Sequence, residues 1–138
     1  MSACVADAAR VYAWMVDSTT ATTQQWGAIG HELNGQLVAG VIWSECTGTD
    51  VRLHLRVDRP TRGFLVAVLR TMFHGYGFRR ITMPVFDDNE RCLRLVRHLG
   101  AELECVIPPG HSGGDVHQYV LWRGTGIHRR LLDQGALP

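Results

Sequence analysis

Lysine is absent from this sequence: all fourteen basic residues among its 138 are arginine. Chemistry that needs an amine side chain is excluded, so no Schiff base, pyridoxal aldimine or P-loop lysine is available. Codon bias is the simpler cause of the absence. Long apolar runs are missing as well. The longest, Val38–Trp43 and Phe64–Leu69, fall far short of a membrane span. The N-terminus shows no basic segment followed by an apolar one, as a signal peptide would. The four cysteines (Cys4, Cys46, Cys92, Cys105) have no CxxC spacing, so reduced thiols in a cytoplasm are expected. Excess charge of one sign is lacking too. A formal net charge of +1 argues against binding nucleic acid by bulk charge. No repeat or linker divides the chain, and its length can bury a core without staples. One domain over residues 1–138 is expected, with a short basic tail from about residue 124.

What is present is a sequence of strand and helix patterns. Apolar residues Cys4, Ala8, Val11, Tyr12 and Met15 recur at helical spacing. Ser18–Gln25 reads as a loop. Three strands follow: Trp26–Leu33, ending at the hairpin signal Asn34-Gly35, then Leu37–Glu45, then Val51–Val57. The last alternates, with Val51, Leu53, Leu55 and Val57 on one face and Arg52, His54 and Arg56 on the other. Thr61 is placed to cap a helix whose stripe runs from Phe64 to Tyr76 before Gly77. Strand Arg79–Val85 leads to Asp87 and Glu90 at capping-box spacing, and to a helix burying Leu93, Val96 and Leu99 before Gly100. Strands Glu102–Ile107 and Val116–Trp122 flank a Pro- and Gly-rich loop, and Ile127–Leu132 reads as a terminal helix. The predicted class is α/β: a mixed central sheet, order α-β-β-β-α-β-α-β-β, with helices on both faces.

The junction Val57-Asp58-Arg59-Pro60-Thr61-Arg62-Gly63-Phe64 is where chemistry is most legible. A helix start offers unpaired N–H groups to phosphate, Gly63 permits close approach, and Arg59 and Arg62 can clamp oxygens. An ordinary turn accounts for the same residues equally well. His54 and Glu45 are candidate proton acceptors, against the plainer roles of sheet histidine and strand-end charge. Tyr76 and Tyr119 are the nearest acids, Tyr76 reading first as core. His111, Asp115 and His117 are too few and too loosely placed to make a metal site the better reading. Arg91, Arg94, Arg97 and His98, with His128-Arg129-Arg130, form basic patches. A solvated face with a Glu90–Arg94 pair is the plain account; a cofactor's ribose phosphate, nucleic acid or an acidic partner are the others.

Ala28-Ile29-Gly30-His31-Glu32, Asn34-Gly35-Gln36-Leu37-Val38-Ala39-Gly40-Val41, Leu53-His54-Leu55-Arg56-Val57 and Thr61-Arg62-Gly63-Phe64-Leu65, in that order, resemble the GNAT superfamily of acetyl-CoA-dependent N-acetyltransferases. Asn89 and the helix ending His98-Leu99-Gly100 extend the likeness, which covers about Ala8 to Leu132 and is most similar to the short GNAT-like proteins of tailed bacteriophages. The resemblance implies acetyl-CoA as donor, lying between Val51–Val57 and Arg79–Val85. Its pantetheine would meet Leu55 to Val57, its pyrophosphate Arg59, Thr61 and the amides of Arg62, Gly63, Phe64 and Leu65, with Asn89 alongside. His54 or Glu45 would then deprotonate an acceptor amine, on a protein or a small molecule, in the host bacterial cytoplasm.

Three departures bear on activity. The phosphate-loop glycine is out of register, Val96 stands where a tyrosine is expected, and no first strand precedes the N-terminal helix. A catalytically degenerate protein, binding a host or virion protein, is therefore the alternative expectation.

Overall fold

A computed structural model describes residues 2–5, 7–15, 25–59, 61–108 and 114–137. The chain opens on a strand that sequence reasoning did not find, β1 (Ser2–Val5), which pairs antiparallel with the far end of β2 (Gln25–Leu33). Four residues of strand held by a partner some thirty positions away leave no local signal. The helix α1 (Ala8–Met15) consequently starts at Ala8, not Cys4; Asp7 accepts the Arg10 N–H at its Oδ1 and the Val11 N–H at its carbonyl. The expected 18–25 loop falls outside the described residues except for Gln25, which opens β2.

Asn34 and Gly35 take positive φ of 53° and 82°, the geometry of a type I′ turn, and join β2 to β3 (Gln36–Ser44). β4 (Asp50–Val57) pairs antiparallel with β3. Helix α2 (Arg62–Leu69) then crosses over to β5 (Arg80–Phe86), which lies parallel to β4. Helix α3 (Glu90–His98) leads to β6 (Glu102–Ile107) and β7 (Val116–Trp122), and α4 (Gly126–Asp133) ends the order. The sheet has seven strands in the order β1-β2-β3-β4-β5-β7-β6. The mixed α/β class holds, with β1 added ahead of the predicted order and the expected terminal helix present as α4.

Helices cover both faces. Val11 of α1 packs on Ala28 and Ile42. On the other face α2, α3 and α4 bury Phe64, Val68, Leu93, Val96 and Leu131 against Val41, Leu53, Ile81 and Met83. Two local expectations fail for physical reasons. After Leu69 the α2 helix widens into a π-helical segment, Arg70–Gly75, closed by a Tyr76 N–H to Thr71 carbonyl bond. The wider turn keeps Met72 and Phe73 buried but swings Tyr76 out, 56% exposed, against Trp43 and Phe78. The start of α3 is capped by Asn89, whose Oδ1 accepts the Cys92 N–H at 3.2 Å, rather than by Asp87.

The arrangement that matters is the fork between β4 and β5. Only Asp50–Arg80, Val51–Ile81 and Arg52–Thr82 pair. Beyond them β4 continues on β3 and β5 on β7, so the two strands part. The closed end is pinned: Asp50 Oδ1 accepts from Thr82 Oγ1 at 2.9 Å and from Arg80 Nε at 3.3 Å.

Candidate functional site

At the open end of the fork the chain turns from Val57 into α2. Asp58 and Arg59 donate their N–H groups to the Val38 carbonyl, fixing the exit from β4. Thr61 caps the helix: its hydroxyl accepts the Phe64 N–H at 3.4 Å and its carbonyl accepts the Leu65 N–H at 3.2 Å. The amides of Arg62 and Gly63 are the first of α2 and have no acceptor within their own helix. A Cβ at Gly63 would meet nothing within 4 Å, so this end of the helix is open. Beneath it His31, which sequence reasoning assigned no role, is buried, stacks on Phe64 at 5.8 Å, and sets Nδ1 3.3 Å from Thr61 Oγ1. The cap is thus braced from the sheet.

Two cavities meet at Val57. The larger, about 580 Å³, lies between the α2 start, one face of α3 and α4; Thr61, Arg62 and Leu65 line it on one side and Arg91, Arg94 and His98 on another. Arg62 reaches across it to Gln134 Oε1 at 2.9 Å. The smaller, about 370 Å³, is bounded by Met15, Leu55, Arg56 and Asp58, with Asn89 and Cys92 from α3. Arg56 donates to both Asp58 oxygens, at 3.4 and 3.3 Å, and to the Trp14 carbonyl at 2.6 Å, with its guanidinium over the Trp14 ring. Burial pushes the Cys92 thiol up to about 11, so it stays protonated and is no nucleophile at neutral pH.

The sequence-predicted residues separate. Leu55, Val57, Thr61, Arg62, Leu65 and Asn89 line one cavity or both. Phe64 gives its side chain to the core and its N–H to Thr61 Oγ1, and the Arg59 side chain lines neither cavity. His54 sits on β4 beyond its pairing with β5, opposite Ile42 of β3 and on the face that carries α1, and lines neither cavity. Burial first, then Arg52, lower its pKa below 6.5, with Glu45 working the other way, so the imidazole is a free base at pH 7. Glu45 itself is exposed and paired with Arg52 Nε at 2.7 Å. Tyr119 is buried, with its hydroxyl on Arg97 Nε at 3.0 Å. No Glu90–Arg94 pair forms among the described residues, which leaves the α3 face cationic toward the cavity. His111 lies outside the described residues, and among those described no group of His, Cys, Asp and Glu could hold a metal ion. No described helix is long and apolar enough to cross a membrane.

The sequence matches no protein-family model and no curated relative. Solved structures do match its fold. A T. thermophilus protein described as an acetyltransferase superposes with TM-score 0.64 at 17% identity, over 78% of this chain and 65% of its own. The GNAT-family acetyltransferase of Bacillus anthracis gives 0.55 at 17% identity, over 69% and 65%. A Salmonella typhimurium protein described as an acetyltransferase, with its cofactor acetyl-CoA, gives 0.54 at 16% identity, over 70% and 64%. The chain thus spans about 65% of the length of such structures. Its fold is that of GNAT acetyltransferases.

Proposed function

We propose that this chain is an acetyl-CoA-dependent N-acetyltransferase whose donor threads the fork between β4 and β5. The observation that carries the proposal is the parted strand pair, with a cationic cavity at the α2 start on one side and a smaller cavity on the other. The diphosphate would lie on the Arg62 and Gly63 amides, which point a partial positive charge outward, with the Arg62 guanidinium beside it. The pantetheine would follow the free edge of Leu55–Val57 toward Asn89, bringing the thioester into the smaller cavity. Acetyl-CoA in the Salmonella neighbour supports this choice of donor.

The transfer needs one proton acceptor. An amine presents itself as ammonium and must lose a proton before its nitrogen can attack the thioester carbon; the C–S bond breaks as the C–N bond forms, and the nitrogen's second proton passes to the departing coenzyme A thiolate. His54, held neutral by burial, takes that proton; Glu45, tied to Arg52, tunes it from beside. The acceptor, a small amine or an amine on a protein, would enter from the α1 face. The four free thiols fit an enzyme acting in a reducing cytoplasm, and a phage-encoded origin rests on the resemblance read in the sequence. A non-catalytic role, binding a host or virion protein, is the second reading. It is favoured by Val96, fully buried and apolar where a thiolate-protonating tyrosine would stand.

Calorimetry with acetyl-CoA, followed by thiol release against a panel of amines, tests both. Arg62→Ala is expected to weaken donor binding roughly tenfold. His54→Gln is expected to leave that affinity unchanged and cut turnover by about a hundredfold. Binding with no turnover on any amine favours the second reading, and no binding at all removes the first.

A further inference from the structure

The larger cavity is charged well beyond its diphosphate end. Arg91, Arg94 and His98 follow one another at i, i+3 and i+7 on a single face of α3, and Arg130 of α4 joins them. Seven residues of helix carry that row about 10 Å away from the mouth. Between the two ends the floor is apolar, made by Leu95, Ile127 and Leu131.

The arginines of these helices fall into two sets. Arg97 gives its Nε to the Tyr119 hydroxyl, and Arg129 pairs with Asp133 at 3.7 Å. Those that face the cavity are left without an acid at its far end. Arg94 has no hydrogen bond or ion pair among the described residues, and Arg130 donates to the His98 carbonyl at 3.2 Å, which orients the guanidinium without neutralising it. The carboxylate that pairs with this row, Asp58, stands at the mouth, 3.7 Å from Arg91, and among the described residues none lines the cavity. Guanidinium groups keep their charge at any working pH and bind phosphate oxygens in a fork. An apolar slot with cations at both ends suits a nucleoside with one phosphate at its 5′ side and another on its sugar.

We propose that Arg94, His98 and Arg130 form a phosphomonoester subsite that holds the 3′-phosphate of coenzyme A. The subsite rests on the donor assignment above and extends it: α4 becomes part of the recognition of the donor's nucleotide, and the protein selects coenzyme A over its dephospho form. The C-terminal helix thereby acquires a role that neither the fork nor the α2 start requires.

Calorimetric titration of coenzyme A and of dephospho-coenzyme A into wild type, Arg94→Ala and Arg130→Ala measures the selection. Wild type is expected to bind coenzyme A at least tenfold more tightly. Arg94→Ala is expected to bring that ratio close to one while the dephospho affinity stays within twofold of wild type. Arg130→Ala, checked for native folding by its denaturation midpoint, is expected to do the same. Equal affinity of wild type for both ligands would overturn the subsite and leave the donor assignment standing. Equal loss of both ligands in Arg94→Ala would overturn it too, as a general charge effect. Absence of binding by either ligand would remove the donor assignment and the subsite together.

Discussion

Gly126→Ala is expected to lower stability by about 3 kcal/mol and the thermal midpoint by roughly 10 °C. Gly126 and Gly100 meet where α4 leaves the sheet and crosses the end of α3. Their φ angles are +55° and +82°, and a Cβ on Gly126 would stand 2.4 Å from the Leu99 carbonyl oxygen. That oxygen cannot yield, because it accepts the Ile127 N–H at 2.8 Å. A left-handed non-glycine residue alone costs about 1–2 kcal/mol, and forcing the carbonyl apart adds a similar amount. Gly135→Ala separates the two contributions. Its φ is +74°, but a Cβ there meets nothing within 4 Å, so it should lose only the backbone part. Thermal denaturation of both variants checks this; equal midpoints would contradict the crowding argument. Because α4 walls the larger cavity, Gly126→Ala should also weaken nucleotide binding, whereas Gly135→Ala should not.

Acid is expected to remove about 3 kcal/mol of stability between pH 6.5 and pH 4 through one pair of histidines. His128 of α4 is fully buried; its Nδ1 accepts the Gly124 N–H at 2.7 Å and its Nε2 lies 3.0 Å from His74 Nε2. The backbone donor fixes the tautomer. His128 must carry its proton on Nε2 and donate it to His74, so neither ring can take a second proton without breaking a bond. Burial, His74 and Arg123 hold His128 down to about 4, and burial, Arg123 and Arg70 lower His74 as well. The charged groups that shift the pair, Arg70 and Arg123, are cationic.

The sign follows from proton uptake. The unfolded chain protonates His128 near pH 6.5, while the native chain does so only near pH 4. The stabilisation is therefore complete above pH 6.5 and lost as pH falls toward 4. Urea denaturation at pH 7, 6 and 5 should show wild type losing about 2 kcal/mol across this span, and His128→Gln losing much less. Equal slopes for the two proteins would refute the assignment.

Local patterns carried most of the architecture. The Asn34-Gly35 turn, the alternation of Val51–Val57, Thr61 as a cap and Gly100 as a stop are each decided by backbone preferences of a few adjacent residues, and each is found where expected. What the sequence concealed was decided by contacts across the sheet. β1 exists because of its partner β2, and Tyr76 lies outside because a π-turn added one residue to a helix whose spacing looked regular. The site was half legible. The α2 start declares itself through Thr61, Arg62 and Gly63. The α3 face is ambiguous in the sequence: Arg91, Arg94 and His98 fit a ribose-phosphate contact, but a solvated helix surface is the plainer reading until α4 is seen beside them. Arg97, their neighbour in sequence, turns instead to Tyr119. His31 had no readable signal, since its partner Thr61 lies 30 residues on.

The central claim is that a nucleotide thioester lies through the β4–β5 fork, and the amide NMR spectrum of the protein titrated with acetyl-CoA tests it most directly. The largest shifts are expected on Leu55 to Val57, Arg62 to Leu65 and the cavity face of α3, with β1 and β6 unmoved. Shifts confined to β6 or α1, or an unchanged spectrum at millimolar acetyl-CoA, would contradict it.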